Sequence, residues 1–376
     1  MTEARFHRLR VADVIAESAD ARSFVFELPA ALADSFSYRP GQFLTLRLPG
    51  APEAPGASGI GAALQRCYSL SSAPGVDAAP KITVKRVREG RASNWLCDSV
   101  RPGDELDVMA PAGVFTPRSL DDDLLLFAGG SGITPVLSIL KAALVGGRGM
   151  LTLIYANRDE SSVIFGAALR DLAQRHPGRL RVIHWLDSVQ GVPKQRHLEE
   201  LARPWSRQEC FICGPALFME SALAAMLALG LPRAKIHVER FASLPDRPAQ
   251  AKSPAQTAAA PPAEREPARD AAESASQPAQ QTAPQAAHVE TQLDGASAQF
   301  ICEPNETLLD AMERAGLSPP SSCRSGLCGA CMCRVEAGSV TLAGNGVLDE
   351  EERAAGWTLA CSATPASAEL RIVFPD

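Results

Sequence analysis

The hydrophobic positions in the first third of the chain form short runs that end at proline and glycine. The runs RSFVFEL, GQFLTLRL, RCYSLSS, KITVKRV and DELDVM lie between residues 8 and 116, and Pro-Gly pairs at 40–41 and 102–103 interrupt them. Short runs of this kind with turn residues between them are typical of antiparallel strands. The pattern predicts a mainly antiparallel barrel or sandwich.

Residues 123–240 show a different pattern, in which apolar runs alternate with helical segments. The runs are DLLLFAG, MLTLIYAN, LRVIHWLD, CFICG and KIHVER, and helical periodicity occupies 135–145 and 216–229 between them. Such alternation predicts βαβ units on a parallel sheet.

A segment without large hydrophobic side chains follows. Residues 246–287 contain no Val, Ile, Leu, Met, Phe, Tyr or Trp, and 22 of these 42 residues are Ala or Pro. Because they bury too little apolar area to offset their ordering entropy, we expect a flexible linker with a root-mean-square span of about 35 to 40 Å. Beyond it the pattern predicts a compact mixed module with strands at 298–302 and 370–374.

Composition and charge narrow the possible classes of protein. The chain has 376 residues, of which 46% are apolar and 21% charged, as in ordinary globular proteins. No stretch has the roughly 18 apolar residues of a membrane span, and the start lacks a secretion signal, so we expect a cytoplasmic protein.

The net charge of −6 lies in residues 296–376, which hold 5 Arg and 11 Asp or Glu. This surface would repel nucleic acid and attract a basic protein partner, with ordinary solubility charge as the alternative.

The strongest chemical signal is a group of cysteines near the C-terminus with the spacing C-x4-C-x2-C-x29-C. These residues are Cys323, Cys328, Cys331 and Cys361. The spacing is that of a plant-type [2Fe–2S] cluster, in which a tight loop supplies three ligands and a distant cysteine the fourth. A structural zinc site is the alternative, although such sites usually pair two short hairpins. Cys302 and Cys333 are interpreted as packed thiols.

A second signal lies in the predicted strand RCYSLSS. Its Arg can neutralise a phosphate, its aromatic ring can lie on a planar heterocycle, and its small hydroxyl can bind a ring edge. The downstream segment GRASNWL places a Gly turn and a Ser or Asn cap at a helix start, which suits a phosphate. Together they predict a flavin site, with an ordinary strand and helix start as the alternative. The strand residues are Arg66, Cys67, Tyr68 and Ser69.

Two Gly-containing turns follow predicted strands of the parallel sheet. In GGSGITP, Thr134 is expected to cap a helix and Pro135 to take its first position. The second turn is CGP. Both turns lie at the carboxyl ends of parallel strands, where dinucleotides bind. The residues concerned are Gly129, Gly130, Gly132, Thr134, Cys213, Gly214 and Pro215.

With these motifs together, the chain resembles the ferredoxin-NADP reductase superfamily in its three-part form. Within it, the segments YRPGQFLTL, RCYS, ASNWLC, YANRDESSVIFG and HWLDSVQG are most similar to reductase components of 3-ketosteroid 9α-hydroxylases. The resemblance implies FAD, NADH, one [2Fe–2S] cluster and a Rieske-type terminal oxygenase as partner. It implies an FAD-binding β-barrel domain at 1–118, an NAD(P)-binding α/β domain at 119–245, the linker at 246–288, and an α+β ferredoxin domain of the β-grasp type at 289–376. The insertion 51–64 distinguishes this chain.

The resemblance also implies roles for single residues. Arg66, Tyr68 and Ser69 would hold the flavin, and further contacts to its ribityl and phosphate groups would come from Val84, Lys85, Gly90, Ala92 and Ser93. The residues implied at the nicotinamide are Thr134, Cys213 and Phe241, of which Phe241 would cover the flavin ring. The alternative for Cys213 is a buried thiol without a role in binding, and the alternative for Phe241 is a side chain that anchors the core. Apart from the resemblance, the position of Glu239 near Phe241 makes it a candidate to supply a proton to the flavin, with a solvent-facing strand residue as the alternative.

The residues after the second and third strands of the parallel sheet bear on the choice between NADH and NADPH. Asn157 and Arg158 follow the second strand and offer a cation, whereas Asp187 follows the third. A carboxylate there would hydrogen-bond a ribose hydroxyl and repel a 2′-phosphate. The sequence therefore favours NADH.

The resulting hypothesis is a reductase component that passes electrons from NADH to FAD, to the [2Fe–2S] cluster, and on to a Rieske-type oxygenase. The same reductase could instead serve a di-iron hydroxylase, an epoxidase of the phenylacetyl-CoA type or a fatty acyl desaturase. A different class, a non-catalytic iron–sulfur carrier or redox sensor, is the remaining alternative, and the two nucleotide motifs argue against it.

Overall fold

The fold is described from a computed structural model of the chain. The structure describes residues 6–48, 64–88, 90–240, 286–293, 296–317, 319–321, 324, 326, 329–345, 348 and 350–374. Phe241, Cys323 and Cys328 lie outside these ranges, as do the predicted linker up to 285 and the insertion up to 63. Among the described residues, no helix has the length and apolar character needed to cross a membrane.

The first domain is a six-stranded antiparallel barrel. Its elements are β1 (Phe6–Ser18), β2 (Ala21–Glu27), β3 (Phe43–Leu48), β4 (Leu64–Ser69), β5 (Lys81–Lys85), α1 (Arg91–Ser99) and β6 (Glu105–Met109). The strand order is β4-β3-β6-β1-β2-β5. A bridge between Leu70, just after β4, and Ile82 in β5 joins the two edge strands. The predicted antiparallel barrel is therefore confirmed.

The longest strand of this barrel is one that the hydrophobic runs do not predict. β1 has 13 residues and pairs with both β2 and β6. Along it only Leu9 and Val11 are buried. Its register is interrupted between Val11 and Asp13 and again between Ala16 and Ser18. Because bulges break the alternation of side chains, its hydrophobic pattern is weak.

The second domain is a parallel sheet with helices on both faces. Its elements are β7 (Leu124–Gly129), α2 (Ile133–Gly146), β8 (Leu151–Asn157), α3 (Gly166–Arg175), β9 (Leu180–Leu186), α4 (Asp187–Gln190), α5 (Gln195–Ala202), β10 (Glu209–Cys213), α6 (Ala216–Ala228) and β11 (Ile236–Glu239). The order β11-β10-β7-β8-β9 is parallel throughout. The predicted α/β domain is confirmed.

The strand order of the second domain reverses between β7 and β10. The chain adds β8 and β9 on one side of β7, then crosses to add β10 and β11 on the other. Helices α2 and α3 pack on one face of the sheet, and α5 and α6 pack on the other. In such a doubly wound sheet, ligands bind at the carboxyl ends of the strands where the order reverses. Both predicted glycine turns follow strands at this point.

The barrel and the sheet domain share a buried interface. Ser138 on α2 donates its hydroxyl to the Ser72 carbonyl oxygen at 2.6 Å. One turn further along α2, Lys141 Nζ lies 2.7 Å from Asp77 Oδ1. The Phe115 ring, at the end of the barrel, packs edge-on against Phe211 of β10 with centroids 5.2 Å apart. Two of these contacts come from α2, which lies at the interface of the two domains.

The C-terminal domain is a mixed sheet covered by a helix. Its elements are β12 (Ala287–Leu293), β13 (Ala296–Cys302), α7 (Leu308–Arg314), β14 (Met332–Ala337), β15 (Val340–Leu342), α8 (Glu350–Ala354), β16 (Trp357–Leu359), β17 (Ala363–Pro365) and β18 (Glu369–Val373). The main sheet has the order β13-β12-β18-β14-β16, and only β12 and β18 run parallel. The predicted α+β architecture is confirmed.

The first strand of this domain begins slightly earlier than the sequence suggests. Ala287 and His288 fall in the range predicted as linker, yet they are the first residues of β12. Ala287 is 1% exposed and pairs with Cys302, and the His288 N–H donates to Ala368 O at 2.8 Å. Composition did not indicate this start, because Ala is as common in the predicted linker as at the strand end.

Candidate functional site

Strand β4 carries the residues expected at the flavin. Arg66 and Tyr68 point to one side of the strand and Cys67 and Ser69 to the other, as alternation requires. Cys67 Sγ lies 3.3 Å from Thr45 Oγ1 on β3. Ser69 Oγ is buried and has no hydrogen-bond partner among the described residues. Because an unpaired buried hydroxyl is costly, Ser69 fits a site that receives a polar ligand edge such as that of a flavin.

Helix α1 lacks the side-chain cap that the sequence predicts. Its N-cap is Gly90, and no side chain caps the helix. Ser93 Oγ instead accepts from the Val87 N–H at 3.1 Å, and Asn94 Nδ2 donates to Val87 O at 3.2 Å. The predicted cap at Ser93 or Asn94 is wrong because both residues lie inside the first turn, where they hold the preceding segment.

The two glycine turns pack directly against each other at the β7–β10 boundary. A methyl group on Gly132 would overlap the Cys213 carbonyl oxygen. A Cβ on Gly129 would lie 2.8 Å from Pro215 Cδ, and one on Gly214 would lie 2.9 Å from the Gly129 nitrogen. These glycines are therefore required by protein packing, in addition to any role they have in approaching a dinucleotide.

Thr134 does not cap α2, contrary to the prediction. A 3-10 turn at Gly130–Gly132 precedes the helix, and Gly132 is the N-cap with φ −59° and ψ −10°. The helix thus begins at Ile133, and Pro135 lies two positions inside it rather than at its first position. Thr134 is 3% exposed and donates its hydroxyl to Ser131 O at 3.0 Å. Its side chain fixes the turn itself.

Cys213 ends β10 beside a buried carboxyl group. Its side chain is fully buried, and it pairs in register with Glu239 at the end of β11. Burial, and secondarily the nearby Glu239, raise the pKa of the Cys213 thiol well above its usual value. The thiol is therefore neutral at physiological pH. Glu239 is only 3% exposed, so the interpretation of it as a solvent-facing residue is wrong.

Asn157 and Asp187 present unpaired polar atoms at the carboxyl ends of β8 and β9. Both amide atoms of Asn157 and Asp187 Oδ1 are buried without hydrogen-bond partners among the described residues. Burial raises the pKa of Asp187. The Ser188 N–H donates to Arg158 O at 2.8 Å, which joins the two strand ends. Unpaired donors and acceptors at this edge fit a ribose with its hydroxyl groups.

Lys85 reaches from the barrel to the first glycine turn. Its Nζ lies 3.6 Å from where a Cβ on Gly130 would be, and Gly130 has a φ of +50°. The same Nζ lies 3.7 Å from Asp20 Oδ2. Its neighbours in the predicted flavin motif, Val84 and Ala92, are buried in the barrel core. Lys85 is thus at the cleft between the domains.

The last two cysteines of the motif lie together in the C-terminal domain. Cys331 and Cys361 are 2% and 8% exposed, and the Cys361 N–H donates to Cys331 Sγ at 3.4 Å. The Gly326 N–H donates to Cys361 Sγ at 3.2 Å, and Gly326 has φ +74°. Backbone N–H groups aimed at sulfur stabilise thiolates, so these cysteines fit cluster ligands. The other two predicted ligands are outside the described residues.

Two residues near these sites, Asp20 and Tyr155, carry no signal of their role in the linear sequence. Asp20 contacts Lys85 and Arg158, which are far away along the chain. Tyr155 on β8 donates its hydroxyl to Gly130 O at 3.2 Å, which holds the glycine turn. Glu239 is a candidate from the sequence, and its position beside Cys213 follows from aligning the ends of the adjacent parallel strands. Asp20 and Tyr155 required the fold.

Three family models match consecutive parts of the chain. The oxidoreductase FAD-binding domain model matches residues 8–116, and the oxidoreductase NAD-binding domain model matches 126–223. The 2Fe-2S iron-sulfur cluster binding domain model matches 291–366. Each range covers most of one domain, namely the barrel, the parallel sheet and the C-terminal domain, although β11 and β18 lie outside the matched residues.

Several curated relatives match nearly the whole length of this chain. The ferredoxin reductase component of 3-ketosteroid-9-alpha-monooxygenase from Rhodococcus rhodochrous is 45% identical, with 97% of this chain and 96% of the relative covered. A component of the 1,2-phenylacetyl-CoA epoxidase from Escherichia coli (strain K12) is 33% identical, with 98% of each covered. The solved structure of phthalate dioxygenase reductase matches with a TM-score of 0.53 at 22% identity over 98% of each chain, which shows the shared fold.

Sequence, fold and relatives agree on the class of protein. The chain is an oxidoreductase with an FAD-binding domain, an NAD-binding domain and a domain that binds a [2Fe–2S] cluster. It belongs to the family of ferredoxin reductase components of multicomponent monooxygenases.

Proposed function

We propose that this reductase supplies electrons, within the cytoplasm, to a Rieske-type oxygenase that hydroxylates a 3-ketosteroid. The observation that carries the proposal is the higher identity, over nearly the whole chain, to the 3-ketosteroid-9-alpha-monooxygenase component than to the epoxidase component. The energetics support it as well, because plant-type clusters have potentials of about −400 mV and Rieske centres lie higher, at about −150 to +300 mV. Electron transfer in this direction is downhill.

In this proposal the barrel binds and orients the flavin. Arg66 neutralises a phosphate, the Tyr68 ring lies against the flavin, and Ser69 Oγ acquires the hydrogen bond that it lacks among the described residues. Burial raises the pKa of Tyr68, so its hydroxyl stays protonated and can act as a donor. The residues proposed around the ribityl and phosphate groups are Cys67, Val84, Lys85, Gly90, Ala92 and Ser93.

The sheet domain orients the nicotinamide at the β7–β10 boundary. A flavin bound in the barrel would supply the link between two-electron hydride chemistry and one-electron transfer. Thr134 holds the turn through Ser131, and neutral Cys213 presents an uncharged surface to the nicotinamide ring. Phe241 covers the flavin until the nucleotide enters. The dinucleotide contacts are proposed for Gly129, Gly130, Gly132, Asn157, Asp187, Gly214 and Pro215, and for the backbone of Arg158, whose guanidinium pairs with Asp20.

The cluster site completes the path. Cys323, Cys328, Cys331 and Cys361 are its proposed ligands. Cys331 and Cys361 are buried, and backbone N–H groups donate to their sulfurs. These donors stabilise negative charge on sulfur and so tune the potential of a bound cluster.

An anaerobic titration with NADH, and separately with NADPH, tests the electron path. We expect NADH to bleach the flavin absorbance and then the cluster absorbance, and NADPH to do so only at much higher concentration. Bleaching of the flavin alone would remove the cluster from the path. No bleaching with either nucleotide would return the chain to the class of iron–sulfur carriers or redox sensors.

Reconstitution with purified oxygenases tests the partner. We expect the reduced protein to support turnover of a Rieske-type ketosteroid hydroxylase and to support an epoxidase of the phenylacetyl-CoA type at least tenfold more slowly. Equal support, or faster epoxidation, would contradict the ketosteroid assignment and leave the electron path intact.

A further inference from the structure

Asp20 links the two domains across the nucleotide cleft. It lies in the turn between β1 and β2, and its Oδ2 is 3.0 Å from Arg158 Nη2 and 3.7 Å from Lys85 Nζ. Ser18 donates its hydroxyl to Asp20 Oδ1 at 2.9 Å, which fixes the carboxylate. A single side chain of the barrel therefore binds a cation of each domain.

The position of Arg158 makes this contact relevant to nucleotide selection. Arg158 follows β8 directly, and its carbonyl accepts from Ser188, the residue after Asp187. Its backbone is thus at the strand ends where a ribose would lie. Its guanidinium instead extends to the barrel and pairs with Asp20. The pair crosses the cleft.

The Asp20–Arg158 ion pair is relevant to which dinucleotide binds, because NADPH carries a phosphate at the ribose 2′ position and NADH carries a hydroxyl. A dinucleotide with a 2′-phosphate needs a cation nearby, and an Arg after this strand is well suited to supply one. We propose that Asp20 is a selectivity residue, whose carboxylate engages Arg158 and so denies the cation to the 2′-phosphate of NADPH. This proposal rests on the proposed function. Asp187 acts on the ribose directly, whereas Asp20 acts through Arg158.

The effect is expected to be modest and sensitive to salt. The Arg158 side chain is 68% exposed, and ion pairs at exposed positions contribute little because water and ions screen them. Removal of the carboxylate should therefore improve binding of the 2′-phosphate form about two- to fivefold at low ionic strength. The gain should diminish at high salt.

Isothermal calorimetry with NAD⁺ and NADP⁺ tests the proposal, because the oxidised nucleotides bind without transferring electrons. The variants are Asp20→Asn, Arg158→Gln and the double variant, each with its FAD content verified. Asp13→Asn is the matched control, since it removes one charge from the same hairpin and Asp13 accepts from its neighbour's N–H. We expect Asp20→Asn to bind NADP⁺ about two- to fivefold more tightly, with NAD⁺ affinity unchanged. The double variant and Asp13→Asn should show no such gain.

Three results would overturn the proposal: equal gains for both nucleotides, a gain that persists in the double variant, or no gain. Arg158→Gln alone is a second test that does not depend on the folding of the Asp20 variant. It should change NADP⁺ affinity less than about twofold, because Arg158 is already neutralised, and a larger loss would contradict the proposal. Reduction of the wild type by NADH, followed separately, tests the proposed function, so the two failures are distinguishable.

Discussion

We propose that Ser69 has opposite effects on the flavin-free and the flavin-bound protein. In the structure its buried hydroxyl has no partner among the described residues. It therefore destabilises the flavin-free protein and becomes useful only when a ligand atom pairs with it. Substitution of Ser69 should therefore affect flavin binding and not stability, unlike substitution of residues that only stabilise the fold.

We predict that Ser69→Ala weakens FAD binding about two- to tenfold, as expected for loss of one hydrogen bond, without lowering the thermal stability of the flavin-free protein. Flavin fluorescence during dilution measures the first effect and a thermal melt the second. Ser71→Ala is the control, because Ser71 Oγ lies 2.7 Å from Thr83 Oγ1 in the barrel. It should lower stability and leave flavin affinity unchanged. A destabilised Ser69→Ala protein would contradict this role.

Local sequence indicated the types of the site residues but not their hydrogen bonds. Thr134 and Ser93 belong to residue types that cap helices, and both were expected to do so. Each helix begins earlier than the motif suggests, and the two hydroxyls bind neighbouring backbone instead. Asp20 was not predictable, because its partners are brought to it by the docking of two domains.

At the scale of elements, the contact between the two glycine turns determines the geometry of the cleft. The start of α2 and the end of β10 can approach this closely only because residue 132 has no side chain. The sequence predicted both turns and their place at the strand ends. It did not predict that they touch, because that depends on β7 and β10 being neighbours in the sheet.

We predict that Gly132→Ala lowers the free energy of unfolding by about 2 kcal/mol or more, since the added methyl meets rigid backbone rather than a flexible side chain. Gly146→Ala at the end of the same helix is the control. The added methyl would meet only the end of the Leu120 side chain, with Cδ1 at 3.1 Å. The free energy of unfolding of Gly146→Ala should therefore differ from that of the wild type by less than about 1 kcal/mol. Urea denaturation compares the two, and equal losses would contradict the packing argument.

Two buried thiols in strand β10 are expected to make the free energy of unfolding fall at alkaline pH. Burial raises the pKa of Cys210, and burial with Glu239 raises the pKa of Cys213. The native protein keeps both thiols protonated, whereas the unfolded chain ionises them above about pH 9. Their stabilisation is therefore complete below that pH and is lost as pH rises.

We predict that the free energy of unfolding falls by about 1.4 kcal/mol per pH unit for each buried thiol above about pH 9. Urea denaturation between about pH 8 and pH 10 measures this slope. In Cys210→Ala the free energy of unfolding should fall with pH about 1.4 kcal/mol per pH unit less steeply than in the wild type. This difference in slope is expected whatever stability the variant loses at neutral pH. Identical slopes for the variant and the wild type would show that Cys210 does not contribute.

At the scale of the molecule, charge is concentrated in the C-terminal domain. Residues 296–376 carry the entire net charge of −6, and helix α8 begins with three consecutive acidic residues. The composition of the predicted linker and the three different patterns of hydrophobic positions are sufficient to predict three domains. Their contacts were not predictable, because Ser138, Lys141 and Phe115 are ordinary core and surface types whose partners lie in another domain.

We predict that replacing Glu350, Glu351 and Glu352 with Gln slows electron transfer to the oxygenase severalfold at low salt and has little effect at high salt, because long-range attraction is screened. Stopped-flow spectroscopy of cluster reoxidation by the partner measures the rates. Neutralising Asp171, Glu199 and Glu200 on helices of the sheet domain is the control for net charge. Equal slowing in both variants would show that no docking face is involved.

The touching glycine turns also determine how large-scale mutagenesis of this protein should be interpreted. A screen scored on oxygenase-coupled growth would place Gly132 and Ser69 in one group, since loss of either reduces electron delivery. A screen scored on the amount of folded protein in the cell is expected to separate them, because a side chain at Gly132 would overlap backbone, whereas the Ser69 hydroxyl makes no hydrogen bond among the described residues. The difference between the two scores, position by position, would map the ligand contacts of this cleft without any bound ligand.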